Sequence, residues 1–130
     1  MDVLIIDDEK DIRAFYIQVL EKAGYTVHSV DNGLAALAEL QQREYSAIIS
    51  DLGMEILQGD QLFEEIRKLY PRQAERVIFI TGWANEPWMK AFLEQTGRPF
   101  LAKPVDQADL VAAVAKQAGG ARKGKKGKRK

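Results

Sequence analysis

The sequence predicts a three-layer α/β sandwich. Short apolar runs alternate five times with helical stripes, the strongest runs are uninterrupted as strands buried on both faces require, and glycine or proline marks most of the joins.

Residues 3–6 (VLII) are bounded by charge and too brief for a helix, which predicts a buried strand. Ile12, Phe15, Tyr16, Val19, Leu20 and Ala23 then recur at helical spacing, and Gly24 stands where that helix should stop. Residues 25–30 alternate more and predict a second strand. Leu34, Leu37, Ala38 and Leu40 mark a second helix that Asp31 or Asn32 is placed to cap, and residues 47–49 run as a third strand into Asp51. Leu62, Phe63, Ile66 and Leu69 form a third helical stripe ending near Pro71. Residues 77–80 (VIFI) are an uninterrupted apolar strand ending at Thr81. Pro87 suits the first turn of a fourth helix through Leu93, with Gly97 closing it. Residues 99–102 predict a short fifth strand, and Pro99, which lacks an amide donor, suits an edge. An alanine-rich fifth helix over residues 106–118 turns Leu110, Val111 and Val114 toward the sheet. Right-handed crossovers then make the sheet parallel and cover both its faces.

At 130 residues the chain fits one domain. Zero cysteines exclude a disulfide scaffold, a thiolate zinc site and a catalytic thiol, and the lone His28, inside the second strand, reads as structural. No run approaches the roughly 20 apolar residues that span a bilayer. The start MDVLIIDDEK has acids where an export signal has bases, so the expected setting is cytoplasmic. The formal charge is zero, but residues 1–120 hold 12 bases against 19 acids and residues 121–130 hold seven bases and no acid.

Parallel α/β sheets collect functional groups beyond the carboxyl ends of their strands. The first strand ends at Asp7 and Asp8, the third at Asp51, the fourth at Thr81 and Gly82, and the fifth just before Lys103 and Pro104. Each residue alone fits a helix cap or a strand terminator. Together they converge on one rim, where clustered carboxylates require a compensating cation, and hard oxygen ligands suit magnesium, with manganese able to substitute. Asp51 then has the chemistry of a phosphoryl acceptor, Lys103 that of a counter-charge and Thr81 that of a hydroxyl donor. Neither GxxxxGK[ST] nor GxGxxG occurs, so no nucleotide site is expected.

The acids in IIDDE, the acid in IISDLGM with Gly59 eight positions on, the ITG after the fourth strand, and FLAKPV strongly resemble the receiver domain of two-component response regulators, over residues 2–118. That resemblance implies a doubly wound, flavodoxin-like sheet in the order 2-1-3-4-5. It makes Asp51 the acceptor of a phosphoryl group from a phosphohistidine on a sensor kinase or phosphotransfer protein. Asp7, Asp8, Asp51 and the Gly53 carbonyl become the metal ligands, Thr81 and Lys103 the phosphate-sensing pair and Pro104 the site of a cis bond, while Phe100 is either the switching aromatic or a core-packing residue. The chain would accept the phosphoryl group and release it slowly without being an enzyme in its own right. Glu55 stands where the family often has proline, and Gly82 where alanine is common. Phosphorylation would draw Thr81 inward and change the face made by the fourth helix, fifth strand and fifth helix, where a target protein or a second copy would dock.

Trp83 is expected to be exposed, and Trp88 either exposed or packed beside Phe92. Residues 1–118 are expected to be the receiver. Residues 119–130 are expected to be a glycine-hinged, disordered basic tail that either serves only solubility or contacts acidic protein, nucleic acid or anionic lipid. Competing functions are a phosphorylation-independent interaction module, suggested by Glu55 and the lack of a following domain, and a magnesium-dependent phosphatase.

Overall fold

A computed structural model describes residues 1–53 and 59–127. The elements run β1(Asp2–Ile6), α1(Lys10–Lys22), β2(Thr26–Val30), α2(Gly33–Gln42), β3(Ala47–Asp51), α3(Gly59–Leu69), α4(Pro71–Ala74), β4(Val77–Thr81), α5(Pro87–Thr96), β5(Phe100–Ala102) and α6(Gln107–Gly127). All strand pairs are parallel, and the sheet order is β2-β1-β3-β4-β5, as the sequence implied.

The alternation of side chains along each strand builds two cores. Leu4, Ile6, Ile48, Val77 and Phe79 pack under α2, α3 and α5, whereas Val3, Ile5, Ala47, Ile49, Ile78 and Ile80 pack under α1 and α6. This is why the three central strands read as unbroken apolar runs. The edge strands β2 and β5 have no fully buried position. Phe79 lies at the centre of the first core, its ring 5.2 Å from that of Phe63 and 5.4 Å from that of Phe92. Phe79→Ala is expected to cost about 3–5 kcal/mol in urea unfolding; a loss under about 1 kcal/mol would show that this core refills the space.

Local signals set several boundaries. Gly24 has φ +103° and Gly97 has φ +68°, conformations that favour glycine, and each follows a helix where the sequence placed a stop. Asn32 rather than Asp31 caps α2, its Oδ1 accepting from the Ala35 amide at 2.8 Å. Asp106 caps α6 by accepting from the Ala108 and Asp109 amides. His28 is partly buried, 3.1 Å from the Arg43 guanidinium and edge-on to Tyr45.

The structure sharpens the expectations at three points and corrects one bound. Pro71 does not merely end a helix: it starts the separate short helix α4. There Gln73, 3 % exposed, accepts from the Tyr45 amide and donates to the Leu40 and Arg43 carbonyls, tying α4 to the loop before β3. Leu34, Phe15 and Leu69 are 64 %, 41 % and 52 % exposed although they belong to apolar stripes, because only part of each stripe meets the sheet. Of the two alternatives for Trp88 the structure has the exposed one: at 57 % exposed it lies beside Trp83, with ring centroids 6.0 Å apart. Finally, the helix expected to end near Ala118 continues through Gly119 and Gly120 to Gly127. Alanine, arginine and lysine are good helix formers, and cations near a helix C-terminus complement its dipole. These effects oppose the cost of the glycines. The disorder expected for residues 128–130 lies outside the described residues.

Candidate functional site

Strand register assembles the site. Ile6 pairs with Ser50, Asp51 with Ile80 and Thr81 with Ala102, so Asp7, Asp51, Thr81 and Lys103 all emerge at the carboxyl-end rim. The Asp7 amide donates to the Val30 carbonyl, and the Lys103 amide donates to the Thr81 carbonyl at 2.8 Å, extending the pairing to the functional positions.

Asp7 and Asp51 are 1 % and 2 % exposed, while Asp8 is open to solvent. Each of the three offers a carboxylate oxygen within 4.8 Å of the others. Asp51 Oδ1 accepts from the Gly53 amide at 3.1 Å and pairs with Lys103 Nζ at 3.2 Å. Neither contact uses its Oδ2. Asp7 Oδ1 accepts from the Glu9 amide at 2.9 Å, but its Oδ2 is buried with no hydrogen-bond partner among the described residues. Burial pushes the Asp7 carboxyl up from 3.8 to about 6; the Asp51 and Asp8 charges add to the rise, while the Glu9 amide and Lys103 oppose it.

An unpartnered carboxylate oxygen beside two further carboxylates is destabilising unless a cation joins them. The all-oxygen donor set fits a hard divalent ion such as magnesium. The described residues therefore fit the metal that the sequence implied.

Thr81 is fully buried, and its Oγ1 accepts from the Trp83 amide at 2.9 Å, which leaves the hydroxyl proton available to another acceptor. The Trp83 ring lies over Gly53: a β-carbon there would sit 3.5 Å from the indole and 3.6 Å from Asp51 Oδ1. Trp83 is thus half-exposed at the mouth of the site, as expected of its exposure but with a closer contact than the sequence showed. The Lys103–Pro104 bond is cis, also as expected. Phe100 lies away from the rim, opposite Phe79 in the sheet register, and is 44 % exposed. Glu55 lies outside the described residues.

Two residues near the site carried no functional signal in the sequence. Arg13 donates from Nη1 to the Asp7 carbonyl at 2.8 Å, fixing the backbone that aims this acid. Tyr16, placed only in a helical stripe, is buried beside the acids; burial first, then the charges of Asp7 and Asp51, raise its hydroxyl to about 12 and keep it protonated. An open groove of about 590 Å³ leads away from the site between Ile12, Phe15 and Tyr16 on one side and Gly82, Lys103 and Pro104 on the other.

Residues 3–115 match the response regulator receiver domain family. Over 114 residues the chain is 32 % identical to the response regulator receiver protein CpdR of Brucella abortus, covering 88 % of this chain and 93 % of that protein. It is 30 % identical to the sensor kinase CckA of the same organism, but that match spans 86 % of this chain and only 12 % of the kinase. Among solved structures, a CheY-like receiver domain protein from Methanospirillum hungatei superposes with a TM-score of 0.84 at 26 % identity, covering 94 % of this chain and 96 % of the other. The chemotaxis protein CheY4 of Vibrio cholerae gives 0.80 at 26 % identity, covering 88 % and 96 %.

Proposed function

The chain belongs to the response regulator receiver family, with the phosphoacceptor role in two-component signalling that goes with it, and from that premise we propose that Asp51 is the residue that takes the phosphoryl group. The observation that carries the assignment is the arrangement of its carboxylate: Oδ1 is held by Lys103 and the Gly53 amide, and Oδ2 takes no part in either contact. Oδ2 attacks phosphorus as the P–N bond of a donor phosphohistidine breaks, and the departing imidazole keeps the electron pair and takes up a proton. Lys103 compensates charge on the transferred group, and Thr81 donates its free hydroxyl proton to a phosphoryl oxygen.

Asp7, Asp8, Asp51 and the Gly53 carbonyl would hold magnesium, or manganese in its place, which when bound neutralises negative charge on the transferred oxygens. The unpartnered Asp7 Oδ2 supports this reading. Gly82, between Thr81 and Trp83 in the chain, leaves the space beside the Lys103 side chain without a β-carbon.

The donor is a histidine kinase or histidine phosphotransfer protein, and the groove beside α1 and Pro104 is where its phosphohistidine-bearing surface would lie. Phe100 and the face formed by α5, β5 and α6 are the corresponding output region, for a target protein or a second copy. The chain serves as an acceptor with slow self-dephosphorylation rather than as a turnover enzyme. Cytoplasmic residence agrees with this role, and no described helix is long and apolar enough to cross a membrane.

Incubation with magnesium and a small phosphoryl donor, read by intact mass, tests the proposal. One added phosphoryl group per chain, dependent on the divalent ion, is expected. Rapid multiple turnover of a phosphomonoester would instead identify a phosphatase, and labelling indifferent to metal chelation would remove the proposed metal role.

A further inference from the structure

Tyr16 and Tyr45 are both buried, and only one of them has its hydroxyl engaged. Tyr45 donates to Glu39 Oε1, whereas the Tyr16 hydroxyl makes no hydrogen bond among the described residues although Tyr16 is only 3 % exposed. A packing role needs the ring alone. The hydroxyl is a polar atom in an otherwise apolar stripe of α1, and packing leaves it unexplained.

Strand alternation puts this tyrosine beneath the acids. Val3 and Ile5 of β1 and Ala47 and Ile49 of β3 belong to the core under α1, together with Tyr16, Val19 and Leu20 of that helix. Asp7 follows Ile5 by two residues and Asp51 follows Ile49 by two, and the Asp7 amide continues the pairing to Val30, so both carboxylates leave the sheet on the face that α1 covers. α1 begins at Lys10, at the rim where Asp7 emerges, and long side chains on a helix lean back toward its N-terminus. Tyr16, in the second turn, therefore directs its phenol to that rim. The charges of Asp7 and Asp51 both act on the hydroxyl, and the residue lines the groove whose other wall holds Gly82 and Lys103.

Asp7 is already held at two other atoms. Arg13, three residues before Tyr16 on α1, donates to its carbonyl at 2.8 Å, and the Glu9 amide donates to Oδ1 at 2.9 Å. Oδ2 is buried with no partner among the described residues. An acceptor without a donor and a phenol without an acceptor thus share the space between α1 and the carboxyl ends of β1 and β3, and burial penalises each while it is unpaired.

We propose, resting on the reading of Asp7, Asp8 and Asp51 as metal ligands, that Tyr16 is a positioning residue of the metal site, its hydroxyl donating to Oδ2 of Asp7 in the loaded state. The pair is open in the present arrangement. Once closed, the Asp7 carboxylate is held on both oxygens, by the Glu9 amide and by the phenol, which fixes the direction in which it presents charge to the ion. Donors that orient a ligating carboxylate in this way typically account for roughly 10- to 100-fold in metal affinity.

The test is urea unfolding of the full chain over a magnesium titration at about pH 8, where the carboxylates are ionised. The parent is compared with Tyr16→Phe, which keeps the ring and loses only the hydroxyl, and with Tyr45→Phe, which loses a buried hydroxyl at the amino end of β3. Tyr16→Phe is expected to unfold cooperatively without metal, and its curve of midpoint against magnesium is expected to lie at roughly 10-fold higher concentration. Its labelling by the small phosphoryl donor should need correspondingly more magnesium and return to the parental level at saturation. Tyr45→Phe should leave the magnesium axis where it is, whatever it does to the metal-free midpoint. Superposable magnesium curves for the parent and Tyr16→Phe, an equal displacement in Tyr45→Phe, or a Tyr16→Phe chain without a cooperative metal-free transition would each overturn the role of Tyr16 and leave the metal site standing. A parent that gains no stability from magnesium would instead remove the metal reading itself, and this role with it.

Discussion

Asp51→Asn is expected to abolish stable phosphoryl labelling while leaving the protein folded. The amide keeps the shape of the carboxylate and an oxygen to accept from the Gly53 amide, but it is a far weaker nucleophile and no longer carries the charge that pairs with Lys103. It also removes one of the three carboxylates proposed, with the Gly53 carbonyl, to hold the metal. Stability is expected to change by no more than about 1 kcal/mol: the Lys103 side chain is 31 % exposed, so water takes up its lost partner, and relief of repulsion with Asp7 and Asp8 acts in the other direction. Intact mass after exposure to donor and magnesium, alongside urea unfolding, separates these effects. Parental labelling, with the modified residue mapped elsewhere, would remove Asp51 from its proposed role.

Asp7→Asn is expected to give the largest gain in stability of the metal-free protein. The native carboxyl titrates near 6 against 3.8 for its ordinary value, so the folded state binds the proton more tightly than the unfolded chain does. The sign follows from that order. The favourable contribution of the protonated acid is fully present below about pH 4 and is lost as pH rises through about 6. Above that window the charged Asp7 burdens the fold by about 1–3 kcal/mol, and asparagine does not titrate. Its oxygen can still accept from the Glu9 amide, while its amide nitrogen replaces the unpartnered Oδ2 with a donor facing Asp51 and Asp8. Urea unfolding without divalent ions should therefore show the variant's advantage growing between pH 4 and pH 8. Magnesium, which should stabilise the parent by mass action, should do little for the variant. An advantage independent of pH, or undiminished stabilisation by magnesium, would contradict this account.

These two acids also show how far local reading reaches. Asp7 and Asp51 were identifiable because each directly follows or ends an unbroken apolar strand, and a parallel sheet aligns such ends. That Asp7 Oδ2 has no hydrogen-bond partner among the described residues was not legible, since it depends on how atoms distant in sequence pack around it. Gln73 is comparable: a polar residue after proline looks like a loop position, yet it satisfies three backbone groups from the segment between Leu40 and Tyr45. Phe15 and Leu34 fail in the opposite sense. Periodicity shows that a helix has an apolar side, but the width of sheet beneath it decides how much of that side is covered.

The sequence by itself determined the alternation of strands and helices, the parallel sheet, the glycine stops, the residues at the strand ends and the separation of an acidic body from a basic segment. These follow from short-range causes: side-chain periodicity, backbone freedom and the order of charges along the chain. Only the tertiary structure decided that Lys103 meets Oδ1 of Asp51, that Asp7 is buried beside it with one oxygen unpartnered among the described residues, that Trp83 covers Gly53 and that α6 runs on to Gly127. Those facts depend on register between strands distant in sequence and on which atoms a packed interior excludes from water, and neither is encoded in any one stretch of the chain.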